Sequence, residues 1–404
     1  MPGQIGCDAR RSAGGSLACA GFLTASVPFP MIPPHIRESA VAENARFASQ
    51  PRELFATPAY HPETYVADLT RHRYFDALLV LRHYVQAISH HYFSSEQGAK
   101  NADLFMLTPS VSSPMGPGSD SEPITVTFGG LQTHLVDSSQ FGFEPLLLQS
   151  PGIVYCYLPS MRGEDPDARH LNQFYHCEAE MTGGIEDVMP VVEGYVRRLS
   201  EMLSVLGPTI QAVSDAPEAS VAAFATIAQV ERFPRISFDD AVATLSRRPD
   251  AAVLVRTTPH GRDITAAGEL ALMEMLGCRT PLWITHYDRD RVPFYQKPVS
   301  GRPDKVENAD LVFPPLRPGS FGGEVVGCGQ RQDNVGEMLE SLRRQDDIPV
   351  EPYRWYAELR DHPAYRPTSG FGLGIERFLA WALAKSNIRD VIFYPRLKGV
   401  RTYP

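Results

Sequence analysis

The amino-acid sequence predicts an α+β fold. Segments with strand patterns are followed by scattered helical segments, and no repeating βα unit, which would mark a doubly wound parallel sheet, is found. The 404 residues are 43% hydrophobic, which is enough for one large core or for two domains. Near the C-terminus, a glycine-rich stretch typical of a strand becomes strongly helical between Phe371 and Leu383.

The elements can be assigned in chain order. Residues 1–70 are rich in Pro and Ala, and they show one short helix, from Glu38 to Ala48, without a sustained strand pattern. Apolar side chains recur at helical spacing from Phe75 to Phe93, which predicts a long amphipathic helix. Further predicted strands are Leu104–Leu107, Thr125–Phe128, Leu131–Val136, Ile153–Leu158, Phe174–Met181, Pro281–His286, Phe294–Lys297 and Glu324–Cys328. Further predicted helices are Val188–Leu206, Phe238–Leu245, Ala266–Leu276 and Val335–Arg344.

Composition excludes several classes of protein. A formal net charge of -9 gives no global attraction to nucleic acid. The six cysteines form no CxxC pair, so neither a zinc site nor a disulfide framework is predicted, and a reducing cytoplasmic location follows. The longest apolar runs are far too short to span a membrane. Arg10-Arg11 precedes a small-residue stretch that resembles an export signal, but its Gly and Ser content favours a disordered leader.

The sharpest chemical signal is Gly370-Phe371-Gly372-Leu373-Gly374-Ile375-Glu376-Arg377. Glycine at every second position leaves one face of a strand bare, and a flat ring such as adenine can lie there. The arginine that follows can stack on a base or bind a phosphate. On its own, the pattern is equally typical of a glycine-rich turn before an ordinary helix.

Two more segments carry charged side chains suited to a nucleotide. Met161-Arg162-Gly163-Glu164 and Arg169-His170-Leu171-Asn172-Gln173-Phe174 flank a turn, so the cations of this loop can fold over a polyphosphate. Asp310 and Glu324 flank a Pro/Gly-rich loop, and Mg²⁺ bound to a nucleotide takes one or two such carboxylates. Each segment alone would also suit a solvated charged loop.

Taken together, the chain from about Phe75 to Arg396 resembles the catalytic domain of class II aminoacyl-tRNA synthetases of the asparaginyl and aspartyl type. The loop segments are similar to motif 2 of that family and Gly370–Arg377 is similar to motif 3. The helix that ends near Pro109 resembles motif 1, the dimer-forming element. The resemblance therefore implies a mainly antiparallel sheet flanked by helices, a homodimer, and a catalytic domain over residues 71–404 with a peripheral insertion at about 207–280.

The resemblance also implies roles for individual residues. Arg162 and Arg377 are the expected catalytic residues, and ATP is the expected nucleotide, bound with Mg²⁺. The expected ATP ligands are Arg162 at the α-phosphate, Glu164 at the adenine amino group, Arg169 and His170 at the β- and γ-phosphates, and Phe174 and Arg377 on the two adenine faces. Glu324 and Asp310 are expected to hold magnesium. The residues expected to bind the amino-acid substrate are Ser138, Gln140, Gln173, Glu178 and Arg331.

Four features depart from the family pattern. Phe143 stands where aspartyl enzymes carry a lysine, which places the chain nearer to the asparaginyl type. Gln173 and Gln332 each stand where the family has an acid, and we interpret these changes as an altered side-chain pocket. The strand pattern of an anticodon barrel is missing from residues 1–70.

These features lead to two hypotheses about function. The first is a ligase that activates an Asp- or Asn-like amino acid as acyl-AMP and transfers it to a small nitrogen nucleophile, with tRNA not favoured as a partner. The alternative is aminoacylation of tRNA, or of another carrier, by a truncated synthetase. A binding protein without catalysis is disfavoured because Arg162, Glu164, Glu324 and Arg377 are all present. The acid and its acceptor stay open at this point.

Overall fold

The computed structural model describes residues 32–403, except for 115, 117, 118, 120, 151, 346 and 347. The predicted leader lies outside the described residues. In the described part the α-helices are α1 Pro34–Ala48, α2 Tyr65–Arg71, α3 Arg73–His91, α4 Phe143–Gln149, α5 Ile185–Val205, α6 Gly207–Val213, α7 Pro217–Gln229, α8 Phe238–Leu245, α9 Ala251–Leu254, α10 Ala266–Met275, α11 Val335–Arg343, α12 Arg354–Glu358 and α13 Ile375–Ala382. The strands there are β1 Lys100–Asn101, β2 Leu107–Thr108, β3 Thr125–Phe128, β4 Leu131–Leu135, β5 Ile153–Met161, β6 Gln173–Thr182, β7 Arg235–Ser237, β8 Val255–Thr258, β9 Gly261–Ile264, β10 Leu282–Thr285, β11 Pro298–Val299, β12 Arg302–Val306, β13 Asn308–Phe313, β14 Gly323–Gln330 and β15 Thr368–Gly374.

Within the described ranges, one large sheet organises the molecule. Its eight strands run in the order β1-β5-β6-β15-β14-β13-β10-β7. The inner strands pair antiparallel, and the short strands at the two edges, β1 and β7, pair parallel to their neighbours. This arrangement confirms the predicted α+β class. No helix in the described part of the chain is both long enough and apolar enough to cross a bilayer.

The two faces of the sheet have different surroundings because side chains alternate along each strand. On one face, Cys177 and Ala179 of β6 and Phe371 and Leu373 of β15 lie in the main hydrophobic core together with helices such as α3, α5 and α13. The residues between them point to the opposite face, which is polar and open. The sheet is therefore a wall between a helical core and a cleft.

The N-terminal helices belong to the main core. Ala40 and Phe47 of α1 and Tyr65 of α2 are buried in the same cluster as α3 and α5. Buried Asn44 fixes α1 in place, because its Oδ1 accepts a hydrogen bond from the Thr209 N–H at 2.8 Å. Residues 32–71 are thus part of the same packed unit as the sheet.

The stretch expected to be a peripheral insertion divides into two parts. Helices α6 and α7 lie in the main core, where Ile210 and Phe224 are fully buried. From β7 onward the chain extends the sheet edge, because β7 pairs with β10, and helices α8 and α10 pack there in a second hydrophobic cluster. The peripheral part therefore begins after α7.

Some predicted strands differ from the structure. Phe294 and Tyr295 lie in a turn and not in a strand, because their rings pack with Phe141 in an aromatic cluster. The predicted strand Leu104–Leu107 is reduced to the two residues of β2. Strands β12 and β13 were not predicted, since polar residues such as Lys305 and Asp310 interrupt their apolar pattern.

Candidate active site

The polar face of β6 forms the floor of the cleft. Phe174, His176, Glu178 and Glu180 alternate along this strand, and the first three line the cleft directly. Next to β6, the glycines of β15 leave room above the backbone. The cleft contains two adjoining cavities, which share Arg162, His176, Glu324 and Gly372 in their walls.

The first cavity encloses about 580 Å³ of empty space, counting its open mouth. Every residue expected to bind ATP lies in its wall. The lining residues are Arg162, Glu164, Arg169, His170, Leu171, Phe174, His176, Glu324, Val325, Gly372, Gly374, Glu376, Arg377 and Ile388. The structure therefore brings together two segments that are some two hundred positions apart in the chain.

Arg377 and Glu324 form an ion pair at the wall of this cavity. The Nη1 of Arg377 lies 2.9 Å from the Oε2 of Glu324 and also donates to the Glu324 carbonyl oxygen at 3.2 Å. The aliphatic part of Arg377 lies over Gly374, where a Cβ would be 3.5 Å from it. Burial alone would raise the pKa of Glu324, but the charge and hydrogen bond of Arg377, together with the charges of Arg162 and Arg169, outweigh burial and lower it. The carboxylate is therefore ionised at neutral pH.

Arg162 follows β5 directly and lies between the two cavities. Its guanidinium is 5.4 Å from the centroid of the Phe174 ring, and its buried Nε has no hydrogen-bond partner among the described residues. Asn172 holds the loop in place, since its Nδ2 donates to the carbonyl oxygens of Arg162 and Glu164 at 2.8 Å each. A positioned guanidinium with a free N–H suits an anionic ligand.

Arg169 and His170 close the other side of the first cavity. The Arg169 guanidinium lies 4.4 Å from the centroid of the Phe321 ring. The Nδ1 of His170 is 2.9 Å from the Oδ1 of Asp167. Burial, followed by the charge of Arg377, lowers the pKa of His170 below its ordinary value. In the absence of a bound anion, this imidazole is therefore largely neutral at pH 7.

Three carboxylates meet beside the first cavity. A Cβ on Gly327 would lie 3.6 Å from the Oε1 of Glu324 and 3.7 Å from the Oδ1 of Asp310, so these two side chains converge above that glycine. Glu269 of α10 joins them, since its Oε2 accepts the Glu324 N–H at 3.0 Å. Burial and then the charge of Glu324 raise the pKa of Asp310 and, to about 7, that of Glu269.

These carboxylates suit a magnesium ion that also binds phosphate oxygens. Asp310 and Glu324 are oxygen ligands of the kind that Mg²⁺ prefers, and their mutual repulsion would be relieved by a cation. No group of three or more metal-ligating side chains with suitable geometry is found in the described part of the chain. A magnesium ion here would therefore depend on phosphate and water for its other ligands.

The second cavity is larger, with about 1170 Å³ of empty space including its open part. Ser138, Gln140, Glu178 and Arg331, four of the five residues expected to bind the amino acid, line it. The Ser138 hydroxyl and the Ser139 N–H both donate to the Glu178 carboxylate. Burial raises the pKa of Glu178 and these hydrogen bonds oppose it. The Nε2 of Gln140 is buried without a partner among the described residues, so this donor is available to a ligand.

Arg331 is held by a carboxylate that the sequence analysis did not assign. Its Nη2 is 2.7 Å from the Oε2 of Glu180, and its Nε donates to the Oε1 at 3.0 Å. Both side chains are at most 5% exposed. The pair fills the space above Gly370, where a Cβ would collide with Glu180 and would lie 2.7 Å from the Nη2 of Arg331. The glycine-rich strand is therefore only partly bare, and Gly372 and Gly374 are the glycines that reach the first cavity.

The residues taken as an altered substrate pocket lie outside both cavities. Gln173 is on the opposite face of β6, where it lines a separate cavity beside α3, because neighbouring strand residues point to opposite faces. Gln332 is buried beneath the start of α11, where its Oε1 accepts the N–H groups of Asp333 and Asn334. Phe143 is fully buried in a small core with Val154. The prediction that Gln173 contacts the amino acid is therefore wrong.

Comparison with known proteins identifies the family. The profile of the family described as tRNA synthetases class II (D, K and N) matches residues 62–398. This chain belongs to that family. Class II synthetases are ligases that form aminoacyl-AMP. The synthetase is 30% identical over 337 residues to asparagine–tRNA ligase of Thermus thermophilus, covering 81% of this chain and 71% of the relative.

Other relatives are longer than this chain. Asparagine–tRNA ligase of Herpetosiphon aurantiacus is 32% identical over 271 residues, which is 63% of this chain and 55% of that relative. A probable cytoplasmic asparagine–tRNA ligase of Encephalitozoon cuniculi is 30% identical over 274 residues, or 66% of this chain and 56% of its own length. The synthetase thus spans little more than half the length of these two curated relatives.

Solved structures share the fold. Asparaginyl-tRNA synthetase of Pyrococcus horikoshii, complexed with asparaginyl-adenylate, superposes with a TM-score of 0.73 at 24% identity, over 85% of this chain and 74% of that chain. The asparaginyl-tRNA synthetase of Entamoeba histolytica, also with asparaginyl-adenylate, gives a TM-score of 0.69 at 24% identity, over 88% and 76%. These likenesses confirm the class II fold with its mainly antiparallel sheet.

Proposed function

We propose that this synthetase condenses ATP with asparagine to form asparaginyl-adenylate and then transfers the asparaginyl group to tRNA. The observation that carries the proposal is the position of Arg162 at the junction of the two cavities. One cavity has the cations and aromatic surface that a nucleotide needs, and the other has the polar groups that a small amino acid needs. The reacting ends of both substrates would therefore meet at one guanidinium.

The chemistry requires positioning and charge neutralisation more than a protein nucleophile. An oxygen of the amino-acid carboxylate attacks the α-phosphorus of ATP, the bond to the β-phosphate oxygen breaks, and pyrophosphate leaves with the electron pair. Arg162 would bind the α-phosphate oxygens as their charge redistributes, and the free Nε2 of Gln140 would hold the attacking carboxylate. When bound at Asp310 and Glu324, Mg²⁺ would neutralise charge on the phosphates. Arg169 and His170 would hold the departing pyrophosphate.

The second cavity favours a neutral substrate side chain over a charged one. The guanidinium of Arg331 is already neutralised by Glu180, so the pair presents donors without a net positive charge. A side-chain carboxylate placed against this pair would lose its hydration and would meet a guanidinium that Glu180 already neutralises. A carboxamide carries no charge and pays a smaller desolvation cost, which supports asparagine rather than aspartate.

The acceptor is better assigned to tRNA than to a small nitrogen nucleophile. The sequence-based preference for a small nucleophile depended partly on an altered side-chain pocket, and Phe143, Gln173 and Gln332 all lie outside that cavity. The family profile and the relatives support tRNA as the acceptor of the aminoacyl group. tRNA is therefore the favoured acceptor, and the sequence-based expectation against it was wrong. The predicted homodimer, formed through residues 75–109, stays a prediction.

The experiment separates activation from transfer. ATP–pyrophosphate exchange is measured with asparagine and with aspartate, and the adenylate formed on the enzyme is then chased with tRNA-Asn or with ammonia. We expect exchange with asparagine and label transfer to tRNA. Exchange followed by transfer to ammonia alone would favour the amide-forming ligase. No exchange with either amino acid would contradict adenylate formation from these substrates. Arg317→Ala, a change of a half-buried loop cation that pairs with Asp215 outside both cavities, serves as the matched control for arginine variants of the site.

A further inference from the structure

Gln296 is a buried polar residue that no role described so far uses. Its side chain lines the second cavity, and the residue is only 8% exposed. The Oε1 of its carboxamide has no hydrogen-bond partner among the described residues. A buried acceptor without a partner is unfavourable, so such groups usually have a ligand or a water to bind.

The local backbone explains why this carboxamide lies in the cavity. Gln296 forms a β-bridge with Arg331, so the two residues are side by side. The Gln296 amide occupies the space above Gly329 of β14, where any Cβ would collide with it. Gly329 pairs with Gly370 of β15, and the Arg331–Glu180 pair lies above Gly370. Two glycines on adjacent strands therefore make room for a guanidinium and a free carbonyl at the same end of the cavity.

We propose that Gln296 is a specificity-determining residue, whose Oε1 accepts a hydrogen bond from the side-chain amide N–H of the substrate. This inference rests on the proposed function and identifies the substrate class of the same site as a carboxamide amino acid. Glu180 engages the Nε and Nη2 of Arg331, so Nη1 is the nitrogen left for the carbonyl oxygen of that carboxamide. The Nη1 of Arg331 would thus donate to the carbonyl oxygen of the substrate carboxamide, and the Oε1 of Gln296 would accept from its N–H.

Aspartate cannot satisfy the same two groups. Its carboxylate has no hydrogen-bond donor at neutral pH. The Oε1 of Gln296 would therefore stay unpaired and would face a negatively charged oxygen. A site built to hydrogen-bond an N–H discriminates strongly against an analogue that lacks it, because its own buried group is left without a partner. Gln296 would therefore act in the choice between two amino acids of nearly equal size.

The test compares three ligands by titration calorimetry with the full chain. These are asparagine, aspartate and the methyl-ketone isostere of asparagine, in which a methyl group replaces the amide nitrogen and the carbonyl is kept. The wild-type chain is compared with Gln296→Met, which keeps the length of the side chain and removes the acceptor. Gln345→Met is the matched control, since Gln345 is also buried but lines neither cavity, and its Nε2 donates to the carbonyl oxygen of Val292. Circular dichroism checks folding, and Gln296→Leu replaces the first variant if that one does not fold.

We expect the wild-type chain to prefer asparagine over the ketone by about tenfold or more, and Gln296→Met to reduce that ratio by roughly fivefold or more. Gln345→Met should keep the wild-type ratio. An equal ratio in wild type and Gln296→Met would overturn the assignment and would leave Gln296 as a water-binding residue. A wild-type chain that does not bind asparagine would overturn it as well. Because binding is measured without turnover, a failure of pyrophosphate exchange alone would count against the proposed function and not against Gln296.

Discussion

A methyl group added at Gly370 would strike the buried ion pair of the amino-acid cavity. In Gly370→Ala, the new Cβ would collide with the Glu180 carboxylate and would lie 2.7 Å from both the Nη2 of Arg331 and the carbonyl oxygen of Ala179. The carbonyl belongs to the paired strand β6 and has little freedom to move. The side chains of the pair must therefore shift.

The size of the effect follows from these contacts. Overpacking a dense interior costs about 1–3 kcal/mol, and disrupting a buried ion pair costs about 3–5 kcal/mol when one partner is left uncompensated. Since the pair would be displaced and not removed, we expect Gly370→Ala to lower the free energy of unfolding by about 3 kcal/mol. Gly372→Ala is the matched control, because its Cβ would lie at an ordinary 3.5 Å from Glu178.

The assay is urea unfolding followed by tryptophan fluorescence and circular dichroism. If the two transitions coincide, the two-state free energies of both variants can be compared. Neither glycine has a positive φ, so backbone strain does not distinguish them. A Gly370→Ala variant as stable as Gly372→Ala, within about 0.5 kcal/mol, would refute the argument that the space above Gly370 is needed for the pair.

Three further predictions concern single side chains. Arg377→Ala should reduce ATP–pyrophosphate exchange at least about 100-fold, since it removes a charge from the nucleotide cavity and leaves Glu324 unpaired; a near wild-type rate would disprove this role. Gln173→Glu should leave the ratio of asparagine to aspartate activation unchanged, because Gln173 lies on the other face of the sheet; a shifted ratio would place it in the site after all. Burial, then the charges of Arg162 and Arg377, hold the pKa of His176 well below its ordinary value. Only the unfolded chain takes up this proton as pH falls below about 6.5, so stability is lost there. In His176→Asn, the loss of stability between neutral and acidic pH, measured by thermal unfolding, should be smaller than in the wild-type chain. A pH dependence of stability equal to that of the wild type would contradict the assignment.

Much of the nucleotide cavity could be predicted from the sequence. Arg162, Glu164, Arg169, His170, Phe174, Glu324 and Arg377 all line it, and they stand in compact segments whose order is typical of the family. Alternation along β6 also carried information that the sequence analysis did not use. Glu178 and Glu180 are two positions apart, which puts both on one face of a strand. The same rule places Gln173 on the other face from Phe174.

Other parts of the site have no local signal. Glu269 comes from α10, in the part of the chain expected to be peripheral, and it reaches Glu324 only because β7 attaches that part to the sheet edge. Gln296 depends on the absence of a Cβ at Gly329, which is distant in sequence. Contacts of this kind depend on strand order and register, and a single sequence does not fix either of them.

The shared guanidinium of Arg162 has a consequence for the order in which ligands bind. Because one side chain borders both cavities, a ligand in the first cavity positions and partly neutralises a guanidinium that the second ligand must meet. The two affinities are then linked, and ATP must change the affinity for the amino acid by the same factor by which the amino acid changes the affinity for ATP. If the nucleotide fixes Arg162 in the position that the carboxylate requires, binding will be cooperative, and each substrate measured alone will seem weaker than it is in the complete complex.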